Sequence, residues 1–97
     1  MKQFEIRRLR SGDLVLLLQH DLLEGLNSLV VAPVVRMPSL LPMQRLRPTF
    51  DVDSVRHVIL TDRLAAVERS AIGTVVADAR DVQDAVNLAL DFLFKGF

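Results

Sequence analysis

The stretch from Asp81 to Phe97 is the one long segment with a clean helical period, and it limits what the rest of the chain can build. Val82, Ala85, Val86, Ala89, Leu90 and Leu93 follow the i, i+3, i+4, i+7 spacing of a single buried face. Leu88 and Phe92 widen that face on one flank. At about 100° per residue the apolar arc spans about 200°, more than contact with one layer uses. Gln83, Asp84, Asn87, Asp91 and Lys95 fill the remaining arc, with Phe94 out of place among them. Asp81 stands where an N-cap belongs, Lys95 lies in the last turn, and Gly96 supplies a C-cap tolerant of left-handed backbone. Part of the arc meets a sheet. The flank, Leu88 with Phe92, is expected to pack across a two-fold axis in a homodimer, because a small domain that cannot cover its own helix gains by association.

The sheet is read from the residues upstream. Phe4 to Arg10 alternates as a strand with Phe4 and Ile6 inward, Ser11-Gly12-Asp13 turns, and Leu14 to Gln19 returns as a strand buried on both faces or lying between neighbours. His20 to Asn27 is a loop with an awkward Leu22-Leu23 pair. Ser28 to Arg36 is a strong strand in which Pro33, lacking a ladder donor, marks an edge, a bulge or a change of sheet. Pro38 and Pro42 bracket an irregular loop. Arg45–Val52 and Val55–Thr61 form a hairpin across Asp53-Ser54, Asp62–Arg69 is a helical turn or loop, and Ala71–Ala77 is a last short strand or an extended lead into the helix. Five or so strands and one terminal helix predict a mainly β, strongly bent antiparallel sheet or open barrel plugged by the helix. With 97 residues the chain is expected to be one domain, 1–97.

Chemistry is sparse. The chain has no cysteine, which removes disulfides, thiolate metal sites and thiol nucleophiles. There is no phosphate-binding glycine loop, nucleophile elbow or metal-ligand spacing. His20 and His57 stand far apart and are expected to be a loop and a strand histidine facing solvent, so neither a metal nor another cofactor is expected. No apolar run approaches a membrane span and the N-terminus is no signal peptide, so a cytoplasmic protein is expected. Residues 1–50 carry seven Lys/Arg against four Asp/Glu, and residues 51–97 five against eight. Arg7, Arg8, Arg10, Arg45 and Arg47 are thus candidates for an acidic partner. An RNA partner would call for stacking aromatics beside them, and Tyr and Trp are absent.

Several short segments in order carry a resemblance. Ala85-Val86-Asn87-Leu88-Ala89-Leu90-Asp91-Phe92-Leu93-Phe94-Lys95-Gly96-Phe97 resembles the A-L-D-F-L-x-x-G-[FI] ending of the CcdB toxin family. Leu60-Thr61-Asp62-Arg63-Leu64-Ala65-Ala66-Val67 with Ile72-Gly73, Gln19-His20-Asp21-Leu22-Leu23, and Val30-Val31-Ala32-Pro33-Val34 are similar to further segments of that family. The resemblance implies an SH3-like barrel with a C-terminal helix, a homodimer, and a toxin that poisons DNA gyrase by trapping its A subunit on cleaved DNA. It further implies neutralisation by the disordered C-terminal segment of a cognate antitoxin, here expected to dock at the five arginines, and joint binding of operator DNA. Carried over by position, the gyrase contacts are Leu22, Leu23, Asp91, Phe94, Lys95, Gly96 and Phe97. Two of these depart from the family's best-known members: Lys95 stands for a tryptophan and Asp91 for an asparagine. On this reading the protein is not an enzyme. The alternatives are a ribonuclease toxin on the same barrel, which would need a base and a cation in one groove, or a dimeric peptide-binding domain.

Overall fold

A computed structural model describes residues 1–23, 25–37 and 47–96. Seven strands and one helix follow in chain order: β1 (Glu5–Leu9), β2 (Leu14–Leu17), β3 (Ser28–Arg36), β4 (Thr49–Val52), β5 (Val55–Ile59), β6 (Ala65–Glu68), β7 (Ile72–Asp78) and α1 (Gln83–Lys95). All pairings are antiparallel, in the order β4-β5-β3-β2-β1-β7, with β6 paired to β3 beside β5. The fold is therefore the expected mainly β curled sheet with a C-terminal helix.

Pro33 explains how the sheet curls. On one side β3 pairs with β6 over Ser28–Val31 and with β5 over Val34–Arg36. Pro33 lies between those partners, and its carbonyl accepts the Leu60 N–H at 2.9 Å. A strand residue's nitrogen and carbonyl point the same way, so the missing donor faces the gap where one partner hands over to the next. The β4–β5 turn uses Asp53 and Ser54 at φ 51° and 65°. Both lie in the left-handed region that a tight two-residue hairpin requires.

Strand alternation gives the sheet two buried faces. Phe4, Ile6, Leu16, Ala32, Val34, Val52 and Ile59 form one cluster with Ala79 and Val86, on the helix side. Val15, Leu17, Leu29, Val31 and Ile72 form the other. β2 is buried on both faces, as its unbroken leucine–valine run predicts.

Some expectations are corrected. Asp62–Arg69 is neither helix nor loop throughout: a 3-10 turn at Thr61–Arg63 leads into β6. His57 does not face solvent. It is buried on β5, where its Nδ1–H donates to the Val55 carbonyl at 2.8 Å. Asp81 is not the N-cap, because it sits inside a 3-10 turn, Arg80–Val82, that precedes α1. The N-cap of α1 is Val82, with no side-chain bond; just upstream the Asp78 carboxylate accepts the Arg80 N–H at 3.0 Å, and this bond, with those from the Arg80 guanidinium, holds it below the usual carboxylate range.

Candidate functional site

The helix buries a narrower stripe than its sequence offers. Val86 and Ala89 are fully buried, Val82 and Leu90 half-buried. Ala85 and Leu93, expected inward, are exposed. On the flank Leu88 is 69% exposed and Phe92 half-buried. Leu88 and Phe92, four residues apart, lie on one side, and of the two it is Leu88 that is exposed.

The last turn carries the most exposed aromatic among the described residues, Phe94, at 72%. Gly96 closes the helix in left-handed conformation, φ 81°, and its N–H bonds the Phe92 carbonyl at 2.9 Å. No side-chain oxygen is needed there, and a Cβ at this φ would be strained. Asp91 and Lys95, the two departing positions, face each other at 3.7 Å on the solvent side, a spacing that contributes little to stability. Phe97 lies outside the described residues.

Leu22 and Leu23 sit elsewhere. They belong to a 3-10 turn, Asp21–Leu23, held by the Gln3 N–H on the Asp21 carboxylate at 2.7 Å and the Leu22 N–H on His20 Nδ1 at 3.1 Å. Both leucines are exposed, Leu22 at 87%. Asp21 shares a shallow depression with Asp78 and Arg80, the residues that lead into α1. The turn is therefore near the start of the helix, while Phe94 and Lys95 are at its end, on the order of 15–20 Å away along the axis. Within one chain the resemblance-derived contacts form two groups, not one.

The arginines divide as well. Arg7 is half-buried, paired with Glu5 at 3.1 Å and bonded to the Gly73 carbonyl at 2.8 Å. Arg47 is held by Asp62 through two bonds of 3.2 and 3.0 Å. These two charges are engaged within the fold. Arg8 and Arg10 are exposed, with Arg8 donating to the Gly12 carbonyl at 3.0 Å. Arg45 lies outside the described residues. Arg36, not anticipated, lines a groove of about 410 Å³ together with Arg8 and His57. Nothing local in the sequence announces that grouping. It follows from the register Arg36↔His57 between β3 and β5 and Arg8↔Leu14↔Val34 across β1, β2 and β3.

Among the described residues no group of three or more His, Asp or Glu is arranged to hold a metal. No helix there is long and apolar enough to cross a membrane.

A family model described as CcdB protein matches residues 3–96. No curated protein sequence matches the chain. Solved structures do. An endoribonuclease in complex with its cognate antitoxin, from a mycobacterial species, superposes with a TM-score of 0.80 at 9% identity, covering 97% of this chain and 94% of that one. A crystal structure of an Mtb toxin gives 0.78 at 17%, covering 92% and 99%. The Mycobacterium tuberculosis toxin MazF-mt6 gives 0.75 at 16%, covering 96% of each. The expectation of a protein without enzymatic activity is corrected by these matches. A fold shared nearly end to end with a structure described as an endoribonuclease gives no ground for excluding catalysis.

Proposed function

The chain belongs to the CcdB family, and from that premise we propose that it is the toxin of a toxin–antitoxin module whose target is DNA gyrase, engaged through the far end of α1. The observation that carries this reading is Phe94. A phenylalanine exposed at 72% on the last turn, beside a glycine-capped terminus, contributes nothing to the core. Burying it in a partner would supply about 1.5–3 kcal/mol per copy. Lys95 and Gly96 continue the same surface, and Leu22 and Leu23 add a second apolar contact near the other end of the helix.

A homodimer fits this target. Leu88 and Phe92 offer a strip for a second copy, and a two-fold toxin would present two helix ends to the two-fold A subunit of gyrase. The antitoxin segment is a peptide, the complex with it represses its own operator, and the module works in the cytoplasm. The test is Phe94→Asp, produced from a tightly repressed promoter. Its thermal midpoint should match that of the parent, since the side chain is exposed. Growth arrest and gyrase-dependent DNA cleavage should be lost. Full toxicity in a folded Phe94→Asp protein would remove the helix end from the target contact.

A second reading, an mRNA endoribonuclease, is favoured by the fold likeness to a structure described as an endoribonuclease. It predicts RNA cleavage without gyrase and indifference to Phe94→Asp.

A further inference from the structure

The 3-10 turn Asp21–Leu23 buries none of its residues. Leu22 and Leu23 are exposed at 87% and 49%, and Leu26 just beyond at 51%. With no residue of the turn in the core, its shape depends on hydrogen bonds. The Leu23 N–H donates to the His20 carbonyl at 2.9 Å, and the Leu26 N–H to the Leu23 carbonyl at 3.2 Å. Side chains supply the rest. Gln19 Nε2 donates to the Leu23 carbonyl at 3.3 Å, the Asp21 carboxylate accepts the Gln3 N–H, and His20 Nδ1 accepts the Leu22 N–H at 3.1 Å.

The last of these bonds requires one protonation state. A backbone N–H can only donate, so Nδ1 must keep a bare lone pair, and the neutral ring carries its proton on Nε2. A second proton goes to Nδ1 and turns the acceptor into a donor facing a donor. The Leu22 N–H then loses its partner. Among the described residues no other acceptor of the turn changes this way near neutrality. Carbonyls stay unprotonated, and carboxylates take up protons about two to three units lower than an imidazole.

The charged groups around the turn do not substitute for His20. Asp21 opens into a depression lined by Lys2 and Glu5 from the N-terminal segment and by Asp78 and Arg80 ahead of α1. Arg69, from the connection between β6 and β7, donates to the Leu26 carbonyl at 3.1 Å. Partial burial raises the Glu5 carboxyl, but bonds from the Lys2 N–H and from Arg7 outweigh it and leave it below the ordinary value. The Arg80 N–H and guanidinium lower Asp78. Both carboxylates therefore keep their charge where a histidine changes its own.

We infer that His20 is a positioning residue for the Leu22–Leu23 contact, and that its ring makes the contact proton-sensitive. The turn is set with a neutral imidazole and loosened by a charged one. This rests on the proposed reading of the two leucines as a target contact. An asparagine in the same place would accept the same N–H through its side-chain oxygen, as in an Asx turn, without titrating.

The experiment compares the parent, His20→Asn and His20→Ala at about pH 7.5 and about pH 5.5. Thermal midpoints at neutral pH should agree, since His20 is exposed. In the free, isotope-labelled parent, through-bond coupling between the Leu22 nitrogen and His20 Nδ1 should be present at the higher pH and absent at the lower. The parent should bind purified gyrase A subunit about three- to tenfold more weakly on acidification. His20→Asn should bind like the parent at the higher pH and keep that affinity, and His20→Ala should bind weakly at both. The asparagine variant also separates this loss from any pH dependence of gyrase itself. No coupling in the parent at the higher pH, or an equal loss of binding on acidification in His20→Asn, would overturn the inference. A parent that binds no gyrase while the coupling appears and vanishes as stated would overturn the target reading and support the proton-dependent turn.

Discussion

A Cβ placed on Gly73 would lie 2.7 Å from the carbonyl oxygen of Arg8, well inside any ordinary contact. The close approach comes from the β1–β7 pairing, whose register shifts on both sides of Arg7, and from the Arg7 guanidinium pulling on the Gly73 carbonyl. The obstacle is backbone, which cannot swing aside. Gly73→Ala should therefore cost about 1–3 kcal/mol, read as a lower urea midpoint with unchanged slope. Phe4 is strained differently: it is buried with φ at 68°, held by its N–H on the Leu17 carbonyl and by the Ala79 N–H on its own carbonyl. The Arg47–Asp62 pair gives a prediction in pH. Hydrogen bonds from Arg47 hold the Asp62 carboxyl below its usual range. A depressed carboxylate stabilises the fold above its unfolded pKa, and that contribution fades as pH falls through the folded value. Asp62→Asn should lower the thermal midpoint at neutral pH, and the gap to the parent should close on acidification. A gap that stays constant into the acid range would mean the charge on Asp62 contributes nothing.

At the scale of elements, α1 behaves as a docked helix with an uncovered flank. Leu88 is exposed in the single chain, so Leu88→Asp should leave the thermal midpoint of a dilute monomer unchanged and shift sedimentation from dimer to monomer. A parent chain sedimenting as a monomer at high concentration would contradict the dimer. The helix, the β1–β2 hairpin, β3 and the Asp53-Ser54 turn were legible because period, turn residues and proline act locally. β6 was not. Ala65-Ala66-Val67-Glu68 has weak strand preference, and it is a strand because β3 supplies a complete ladder from Ser28 to Val31. His57 was misread for a related reason: on β5 it follows two exposed residues, and its burial depends on the β3 and β4 neighbours, not on its own pattern. The candidate site was partly legible. Phe94 on the polar arc pointed to exposure, whereas the engagement of Arg7 and Arg47 and the recruitment of Arg36 come from registers that no local pattern encodes.

For the whole molecule, the proposed function puts two tasks on one small barrel: the helix end for the target and the helix flank for a second copy. Each uses exposed apolar groups that the two cores leave over. The groove lined by His57, Arg8 and Arg36 brings together a histidine and two arginines, the combination a ribonuclease on this barrel would need, so target identity is the point on which the account stands or falls. The direct measurement incubates the purified protein with gyrase, supercoiled DNA and ATP, and in parallel with messenger RNA alone, then resolves both nucleic acids after detergent denaturation. The account predicts linear DNA that appears only with gyrase, is lost when Lys95, Gly96 and Phe97 are deleted from a chain that still folds, and is accompanied by intact RNA. Cleaved RNA in the absence of gyrase, with the DNA left supercoiled, would contradict it.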